Sequence, residues 1–215
     1  EARLIDDLLD LTRIARGKME LHCERVSIAG LIENALSTCL PDLKAKQLSL
    51  RRELVETPPL VVADGARIMQ ILWNLLKNAI KFTPEGGEIV VRSRFRPDGS
   101  GGQAVIEIQD TGRGIELDRL QLIFDAFEQG PREITRQFGG LGLGLAISRG
   151  IAEAHGGTIA VASEGPDRGC TFTLILPADG CDEARPPVTA GSLDRAETGH
   201  APASRPPRIL LVEEH

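Results

Sequence analysis

Residues 66–82 read ARIMQILWNLLKNAIKF, and this stretch decides the fold of the chain. At about 100° per residue it predicts a helix with one apolar face. That face consists of Ile68, Ile71, Leu72, Leu75 and Ala79. The opposite face carries two amides and two lysines, namely Asn74, Lys77, Asn78 and Lys81.

The polar face of this helix allows two interpretations. A stripe of polar residues is most often a helix surface that water covers. Asn, however, is a mediocre helix former that such surfaces rarely need. Two amides one turn apart, next to lysines, also supply oxygen ligands beside positive charge, which a magnesium-bound polyphosphate requires. The helix is therefore a candidate phosphate and metal site.

Further helices and strands are expected on both sides of this helix. Helical patterns cover about residues 1–16, 28–40 and 146–155; Gly17 is expected to end the first and Pro41 the second. Strand-like runs occur at 48–54, 60–63, 88–95, 104–109, 158–162 and 171–176. Helices interspersed with paired strands predict an α/β fold, a two-layer sandwich with helices over a mixed, mostly antiparallel sheet.

The two ends of the chain differ from this middle part. The apolar side of the first helix is too wide for an isolated surface helix, so a partner helix is expected. Residues 178–207 are rich in proline and poor in large apolar side chains, which predicts a flexible linker. Residues 208–214 then resemble one buried strand that runs into an acidic pair.

Composition excludes several classes of protein. The 215 residues contain 25 Lys and Arg against 31 Asp and Glu, a net charge of −6, which argues against nucleic-acid binding. No run approaches the roughly 18 apolar residues of a membrane span, so no membrane contact is expected. The four cysteines show neither metal-ligand spacing nor a disulfide-dense pattern. They are interpreted as reduced thiols of a cytoplasmic protein.

A carboxylate at a strand end is the second candidate site. Asp110 has the same strand parity as Ile106 and Ile108, so its side chain should start from the buried side of the sheet. Gly112 and Gly114 follow directly and would allow a ligand to approach the backbone closely. A simple capping Asp in a turn explains the pattern equally well.

A glycine-rich run before the last helix is the third candidate. Residues 139–145 read GGLGLGL, and the N–H groups at the start of a helix make an anion site. The run matches neither standard nucleotide-binding glycine motif, because position 145 is Leu. A flexible hinge is the alternative.

Taken in order, these motifs resemble the ATP-binding domain of two-component sensor histidine kinases. NLLKNAIKFTP at 74–84 is similar to the N box of that family, and DTGRGI at 110–115 to its first glycine box. FDAF at 124–127 and GLGLGL at 140–145 resemble the F box and the second glycine box. The last glycine-and-threonine box appears as RGCT at 168–171, with Cys170 where glycine is usual.

The resemblance implies ATP and Mg²⁺ as ligands and assigns a role to each motif. Asp110 would accept a hydrogen bond from the adenine amino group, Asn78 would hold Mg²⁺ with Asn74 as a second candidate, and Lys81 would neutralise phosphate charge. Asn74, Asn78 and Lys81 would thus be the catalytic residues. The remaining nucleotide contacts would come from Gly112, Gly114, Gly140, Leu141, Gly142, Gly144 and Thr171.

The resemblance also implies a domain organisation. LIDDLLDL at 4–11 is similar to the second helix of the dimerisation and phosphotransfer hairpin, so residues 1–21 are assigned to it and residues 22–177 to the ATP-binding domain. ILLVEE at 209–214 resembles the first strand of a receiver domain, which implies a hybrid kinase. None of the four histidines lies in an acceptor box, so the acceptor is expected upstream of residue 1.

The implied activity is that of a protein histidine kinase. Its partners would be its own hairpin, in a homodimer, and a receiver domain in a response regulator or at its own C-terminus. The location would be the cytoplasm, with the parent protein optionally anchored in the inner membrane.

Two other functions stay open. Hydrolytic ATPases of the gyrase, mismatch-repair and chaperone group share the fold but place a glutamate where this chain has Asn74. A non-catalytic docking module is the third option. Phe124 and Phe127 form a helical, mostly apolar pattern with Leu120 and Ile123, and they either fill the core or dock the domain against the hairpin helix.

Overall fold

The computed structural model describes residues 2–55, 60–97, 102–128 and 141–178. The chain divides into two units, residues 1–183 and 184–215, and all described residues lie in the first. The predicted linker is residues 178–207, of which only Ala178 is described, and that residue is buried. The predicted receiver strand at 208–215 lies outside the described residues. The domain boundaries stay predictions.

A five-stranded sheet forms one layer of the fold. Its strands are β2 (Ser49–Glu53), β4 (Glu88–Arg96), β5 (Gln103–Asp110), β6 (Thr158–Ala162) and β7 (Cys170–Pro177). Their order is β2-β4-β5-β7-β6, and only the β2–β4 pair is parallel. A separate two-stranded antiparallel sheet pairs β1 (Glu24–Val26) with β3 (Val61–Ala63). The predicted mixed, mostly antiparallel sheet is confirmed.

Helices form the second layer. They are α1 (Ala2–Ala15), α2 (Ile28–Ala45), α3 (Gly65–Phe82) and α4 (Gly144–Ala154). The apolar face predicted for α3 is buried in full, and it packs in one core with alternate residues of the central strands, such as Ile106, Ile108 and Leu174. The predicted two-layer sandwich is therefore confirmed.

The helix α2 does not end at Pro41, as the sequence suggested, but continues to Ala45. The reason is the apolar face: Leu43 lies one turn beyond Cys39, and both side chains are buried in the core. Pro41 itself is exposed, so its ring meets solvent and not the sheet. Burial of the last turn thus outweighs the lost backbone hydrogen bond.

The phenylalanine-containing segment also differs from its predicted helix. It forms two short 3-10 turns, Leu117–Arg119 and Leu122–Phe124. Phe127 has a φ of 68°, a backbone conformation that ends any helix. The helical spacing of the apolar residues was therefore misleading here.

The N-terminal helix packs on the helices of the sandwich. Asp10 of α1 is buried, and its Oδ2 accepts hydrogen bonds from Arg67 Nη1 at 2.7 Å and from Gln70 Nε2 at 3.0 Å, both on α3. Ile14 lies against Gly150 of α4 so closely that a Cβ on that glycine would be 2.4 Å from Ile14 Cγ2. Ile5, Leu8 and Leu9 of α1 nevertheless remain exposed, so the partner helix expected for this apolar side stays a prediction.

The start of α3 is fixed by the N-cap residue Asp64. Its Oδ1 accepts from the Arg67 N–H at 3.1 Å and its Oδ2 from the His22 N–H at 2.9 Å. The Asp64 N–H in turn donates to Nε2 of the buried His155 at 3.0 Å. Because His155 follows α4, this contact joins the ends of both helices that carry the candidate site.

Candidate functional site

Helix α3 presents its two asparagines in different environments. Asn74 Nδ2 donates to the Gly144 carbonyl at 3.2 Å and lies 3.3 Å from Ser148 Oγ, so it ties α3 to the first turn of α4. Asn78, one turn later, is half-buried and makes no side-chain hydrogen bond with any residue in the described part of the chain. Its amide therefore remains available to a ligand.

The two lysines of α3 also lie in different environments. Lys77 forms an ion pair with Asp42 of α2 and lies 5.5 Å from the centre of the Trp73 ring. Lys81 Nζ lies 4.8 Å from the centre of the Phe82 ring, and burial lowers the pKa of Lys81. Lys77 is thus paired with a carboxylate of α2, whereas Lys81 lies in the last turn of α3, beside the Phe82 ring.

Asp110 ends β5 with a buried carboxylate, as the strand parity predicted, and its residue surface is only 4% exposed. The Gly112 N–H donates to Oδ1 at 2.8 Å, and the Cys170 thiol donates to Oδ2 at 2.9 Å. Burial raises the pKa of Asp110, and the hydrogen bonds from Cys170 and Gly112 oppose that rise. The carboxylate is held in one orientation, and its other lone pairs remain as acceptors.

The strand register shows where Thr171 lies relative to Asp110. Cys170 pairs with Asp110 across the β5–β7 ladder, whereas Thr171 pairs with Gln109. Successive side chains of a strand point to opposite faces, so Thr171 lies on the face opposite Asp110. The contact of Thr171 with the adenine side stays a prediction, and the side chain that contacts Asp110 in the structure is Cys170. Burial, followed by the charge and hydrogen bond of Asp110, raises the pKa of the Cys170 thiol.

The structure describes three of the four cysteines, and their oxidation states differ. Cys39 and Cys170 are free thiols, whereas Cys23 is disulfide-bonded. The interpretation of every cysteine as a reduced thiol is therefore wrong for Cys23.

The first glycine box touches the end of α3. A Cβ on Gly112 would lie 2.7 Å from the Phe82 carbonyl oxygen, so only glycine fits there. The Arg113 N–H donates to the same carbonyl at 3.3 Å. This contact places the turn that follows Asp110 against the end of α3. Gly114 lies in the turn that follows, with a φ of 67°.

The second glycine box meets α3 at Asn74. Gly142 has a φ of 72°, and a Cβ on it would lie 2.4 Å from the Glu128 carbonyl oxygen, so the position requires glycine. Gly144 is the first residue of α4, and Leu141 is exposed. Gly140 lies outside the described residues. The first N–H groups of a helix have no partner within that helix, so the start of α4 is a suitable anion site.

The two phenylalanines of the F box differ in burial. Phe124 is buried, with its ring edge-on to Phe172 at a centroid distance of 6.4 Å. Phe127 is 58% exposed, and its N–H donates to the Gly142 carbonyl at 3.2 Å. The core interpretation therefore holds for Phe124, and only Phe127 is available for docking.

Sequence reasoning missed two residues that shape the site. Lys46 Nζ donates to the carbonyls of Ile80, Lys81 and Thr83 at 2.7, 3.0 and 2.7 Å, and so caps the end of α3. Ser148 is fully buried and donates to the Gly144 carbonyl at 2.8 Å. No local pattern marks Lys46, because its partners lie more than 30 positions away. Ser148 stands one turn after Gly144, a spacing that could have indicated it.

A comparison with protein families decides the assignment of this cleft. Residues 63–180 match the family described as histidine kinase-, DNA gyrase B- and HSP90-like ATPases. The chain belongs to this family. It contains a histidine-kinase-type ATP-binding domain of the kind found in sensor histidine kinases.

Individual proteins that are similar to this chain are histidine kinases as well. The chain is 36% identical over 214 residues to the circadian input-output histidine kinase CikA of Thermosynechococcus vestitus, covering 98% of this chain and 28% of that protein. It is 35% identical over 202 residues to hybrid signal transduction histidine kinase D of Dictyostelium discoideum, covering 81% of this chain and 13% of that protein. The chain thus spans well under a third of either relative.

A solved structure shows the same fold. Full-length ShkA in complex with AMPPNP superposes with a TM-score of 0.71 at 30% identity, covering 83% of this chain and 36% of that one. Within the described part of our chain, no helix combines the length and apolar character of a membrane span.

Proposed function

We propose that this chain is the catalytic part of a hybrid sensor histidine kinase. It binds ATP and transfers the γ-phosphate to a histidine on the helical hairpin whose second helix is residues 1–21. The histidine then passes the phosphate to a receiver aspartate. The observation that carries the proposal is the turn after β5. Its Gly112 N–H holds the buried Asp110 carboxylate, and its Arg113 N–H bonds the carbonyl of Phe82, at the end of the helix that carries Asn78.

Adenine recognition is assigned to Asp110. The carboxylate is buried, oriented by two donors, and still has unused acceptor sites. An exocyclic amino group such as that of adenine would satisfy it, whereas the carbonyl oxygen of guanine in the same place would face an anion. Asp110 therefore favours ATP over GTP.

Phosphate binding is assigned to α3 and the start of α4. Asn78 offers an amide oxygen to Mg²⁺, with Asn74 Oδ1 nearby on the same face, and Lys81 adds positive charge. When bound, Mg²⁺ would neutralise the charge on the phosphate oxygens. Gly142 and Gly144 allow the chain to lie close to the phosphates at the start of α4, where the first N–H groups of a helix bind anions. Gly112 and Gly114 form the wall beside the adenine, and Gly140 and Leu141 precede the helix start.

The chemistry proposed for the site is positioning and charge stabilisation. Asn74 cannot accept a proton as a glutamate would, and its Nδ2 is committed to the Gly144 carbonyl. The site thus lacks the base that a hydrolytic ATPase places at this position to activate water. The attacking group would be the imidazole of the acceptor histidine, brought in by the hairpin.

The partners and location follow from this assignment. The hairpin of a second copy would complete a homodimer, and a receiver domain, in a response regulator or after residue 207, would accept the phosphate. The relative from Dictyostelium discoideum is itself named a hybrid kinase, which supports the second option. We place the chain in the cytoplasm, without contacts to nucleic acid or membrane, and leave an inner-membrane anchor to the parent protein.

A phosphotransfer assay tests the proposal. With γ-labelled ATP and Mg²⁺, the 215-residue chain alone should take up no label on histidine. A version extended upstream to include the acceptor helix should become labelled, and the label should be acid-labile. Stable labelling of histidine in the 215-residue chain itself would contradict the proposal.

The same assay separates the two alternatives. A hydrolytic ATPase would release inorganic phosphate at the same rate with and without the acceptor helix. A docking module would bind no nucleotide in a calorimetric titration with ATP.

A further inference from the structure

Two loops meet next to the Asp110 carboxylate. One is residues 112–115, which follow β5, and the other is residues 163–169, which connect β6 to β7. The Gly169 N–H donates to the Gly112 carbonyl at 2.9 Å, and the Asp167 N–H donates to the Arg113 carbonyl at 2.6 Å. The two loops therefore lie side by side along their whole length.

Ser163 is the side chain that fastens these loops together. Its Oγ accepts from the Ile115 N–H at 3.1 Å and donates to the Gly169 carbonyl at 2.7 Å. It also accepts from the Gly165 N–H at 3.3 Å within its own loop. One hydroxyl thus uses its donor and its acceptor capacity to bridge the two loops.

Each loop is connected to one of the donors that hold Asp110. The Gly112 N–H on Oδ1 belongs to the first loop, and the Cys170 thiol on Oδ2 directly follows the second. If Ser163 were removed, Ile115 and Gly169 would lose a shared partner, and the two donors could shift relative to each other. The carboxylate between them would then lose its fixed orientation.

We propose that Ser163 is a positioning residue that sets the orientation of Asp110 and, through it, the preference for adenine over guanine nucleotides. This inference rests on the proposed function, because it needs Asp110 to contact the nucleobase. Ser163 itself does not touch the carboxylate. Its effect passes through Gly112 on one side and through Gly169 and Cys170 on the other.

A merely structural serine would change stability alone, so the decisive quantity is the ratio of ATP to GTP affinity. Ser163→Ala removes the bridge, and Ser163→Thr keeps the hydroxyl. Ser93→Ala is the control: Ser93 is a buried serine of β4, its Oγ accepts a backbone hydrogen bond from the Val55 N–H at 3.2 Å, and it lies four residues along the strand from Ile89, the partner of Asp110. Calorimetric titrations with Mg-ATP and Mg-GTP are run on all four proteins well below their unfolding temperatures.

We expect Ser163→Ala to weaken ATP binding about tenfold, the usual effect of losing one oriented hydrogen bond to a charged group, with GTP affinity nearly unchanged. Ser163→Thr should restore the ratio. Ser93→Ala should lower the unfolding temperature but keep the ratio of the unsubstituted chain.

Two results would overturn the inference. One is an intact ratio in Ser163→Ala together with lowered stability; the other is an equal loss for both nucleotides. If the unsubstituted chain does not prefer ATP, the adenine role of Asp110 fails first, and the role of Ser163 fails with it. An intact preference with an unresponsive Ser163→Ala overturns only the present inference.

Discussion

At the scale of single residues, the Asp110 carboxylate opposes folding at neutral pH. Its buried position raises its pKa, so the folded state favours the neutral acid. The folded chain therefore binds the proton more tightly than the unfolded chain does. Stability from this group is complete below the ordinary Asp pKa of about 3.9 and is lost as the pH rises through the higher folded value.

We predict that Asp110→Asn separates stability from function. The Asn carbonyl can still accept from the Gly112 N–H, and no charge is buried. At pH 7 the free energy of unfolding should rise by about 1 kcal/mol, the usual scale of a single substitution. ATP affinity should fall about tenfold or more, because the acceptor for the adenine amino group is lost. Urea denaturation and calorimetry measure the two quantities.

The pH dependence provides the control for this substitution. The gain in stability should vanish below about pH 4, where the native carboxyl is neutral as well. A variant that is less stable than the unsubstituted chain at pH 7 would contradict the claim that the buried charge is costly.

At the scale of elements, the fold was more predictable from the sequence than the details of the site. The apolar face of α3 and the parity of Asp110 follow directly from helix and strand periodicity, and both were predicted correctly. The predicted end of α2 at Pro41 was wrong, because the burial of Leu43 stabilises one more helical turn. The contact of Cys170 with Asp110 was not foreseen, because only the β5–β7 register shows which side chain faces Asp110. Tertiary contacts decide such features, and local patterns do not contain them.

The F-box segment gives a prediction at this scale. Phe124 is buried against Phe172, so Phe124→Ala should cost about 3–5 kcal/mol of unfolding free energy. Phe127 is mostly exposed, so Phe127→Ala should change stability by less than about 0.5 kcal/mol. If Phe127 docks the domain on the hairpin helix, that variant should bind ATP normally and transfer phosphate slowly.

Thermal melts, ATP titrations and transfer assays on the two variants check this prediction. A Phe127→Ala protein that unfolds as readily as Phe124→Ala would show that both rings belong to the core. Normal transfer by a stable Phe127→Ala protein would remove the docking role.

At the scale of the whole molecule, His155 joins the two helices that form the cleft. Its Nδ1 lies 2.8 Å from the Ile151 carbonyl and its Nε2 accepts from the Asp64 N–H, so the ring is neutral with the proton on Nδ1. Burial lowers the pKa of His155; the Ile151 carbonyl and the Asp64 charge oppose that change only in part. Protonation would remove the acceptor that holds the start of α3.

This arrangement predicts a loss of stability in mild acid. The folded pKa of His155 lies below the ordinary value of about 6.5, so the unfolded chain binds the proton first as the pH falls. The free energy of unfolding should therefore decrease from pH 7.5 to pH 5.5. In His155→Gln this decrease should be smaller, as urea denaturation at several pH values would measure. An equal decrease in both proteins would assign the effect to other groups.

The central claim is that ATP binds in the cleft between α3, the end of β5 and the start of α4. The most direct test is a crystal structure of the 215-residue chain with Mg²⁺ and AMPPNP. The account predicts the adenine amino nitrogen about 3 Å from a carboxylate oxygen of Asp110, with the phosphates between Asn78 and the first N–H groups of α4. A nucleotide bound with its adenine away from Asp110, or outside this cleft, would contradict it.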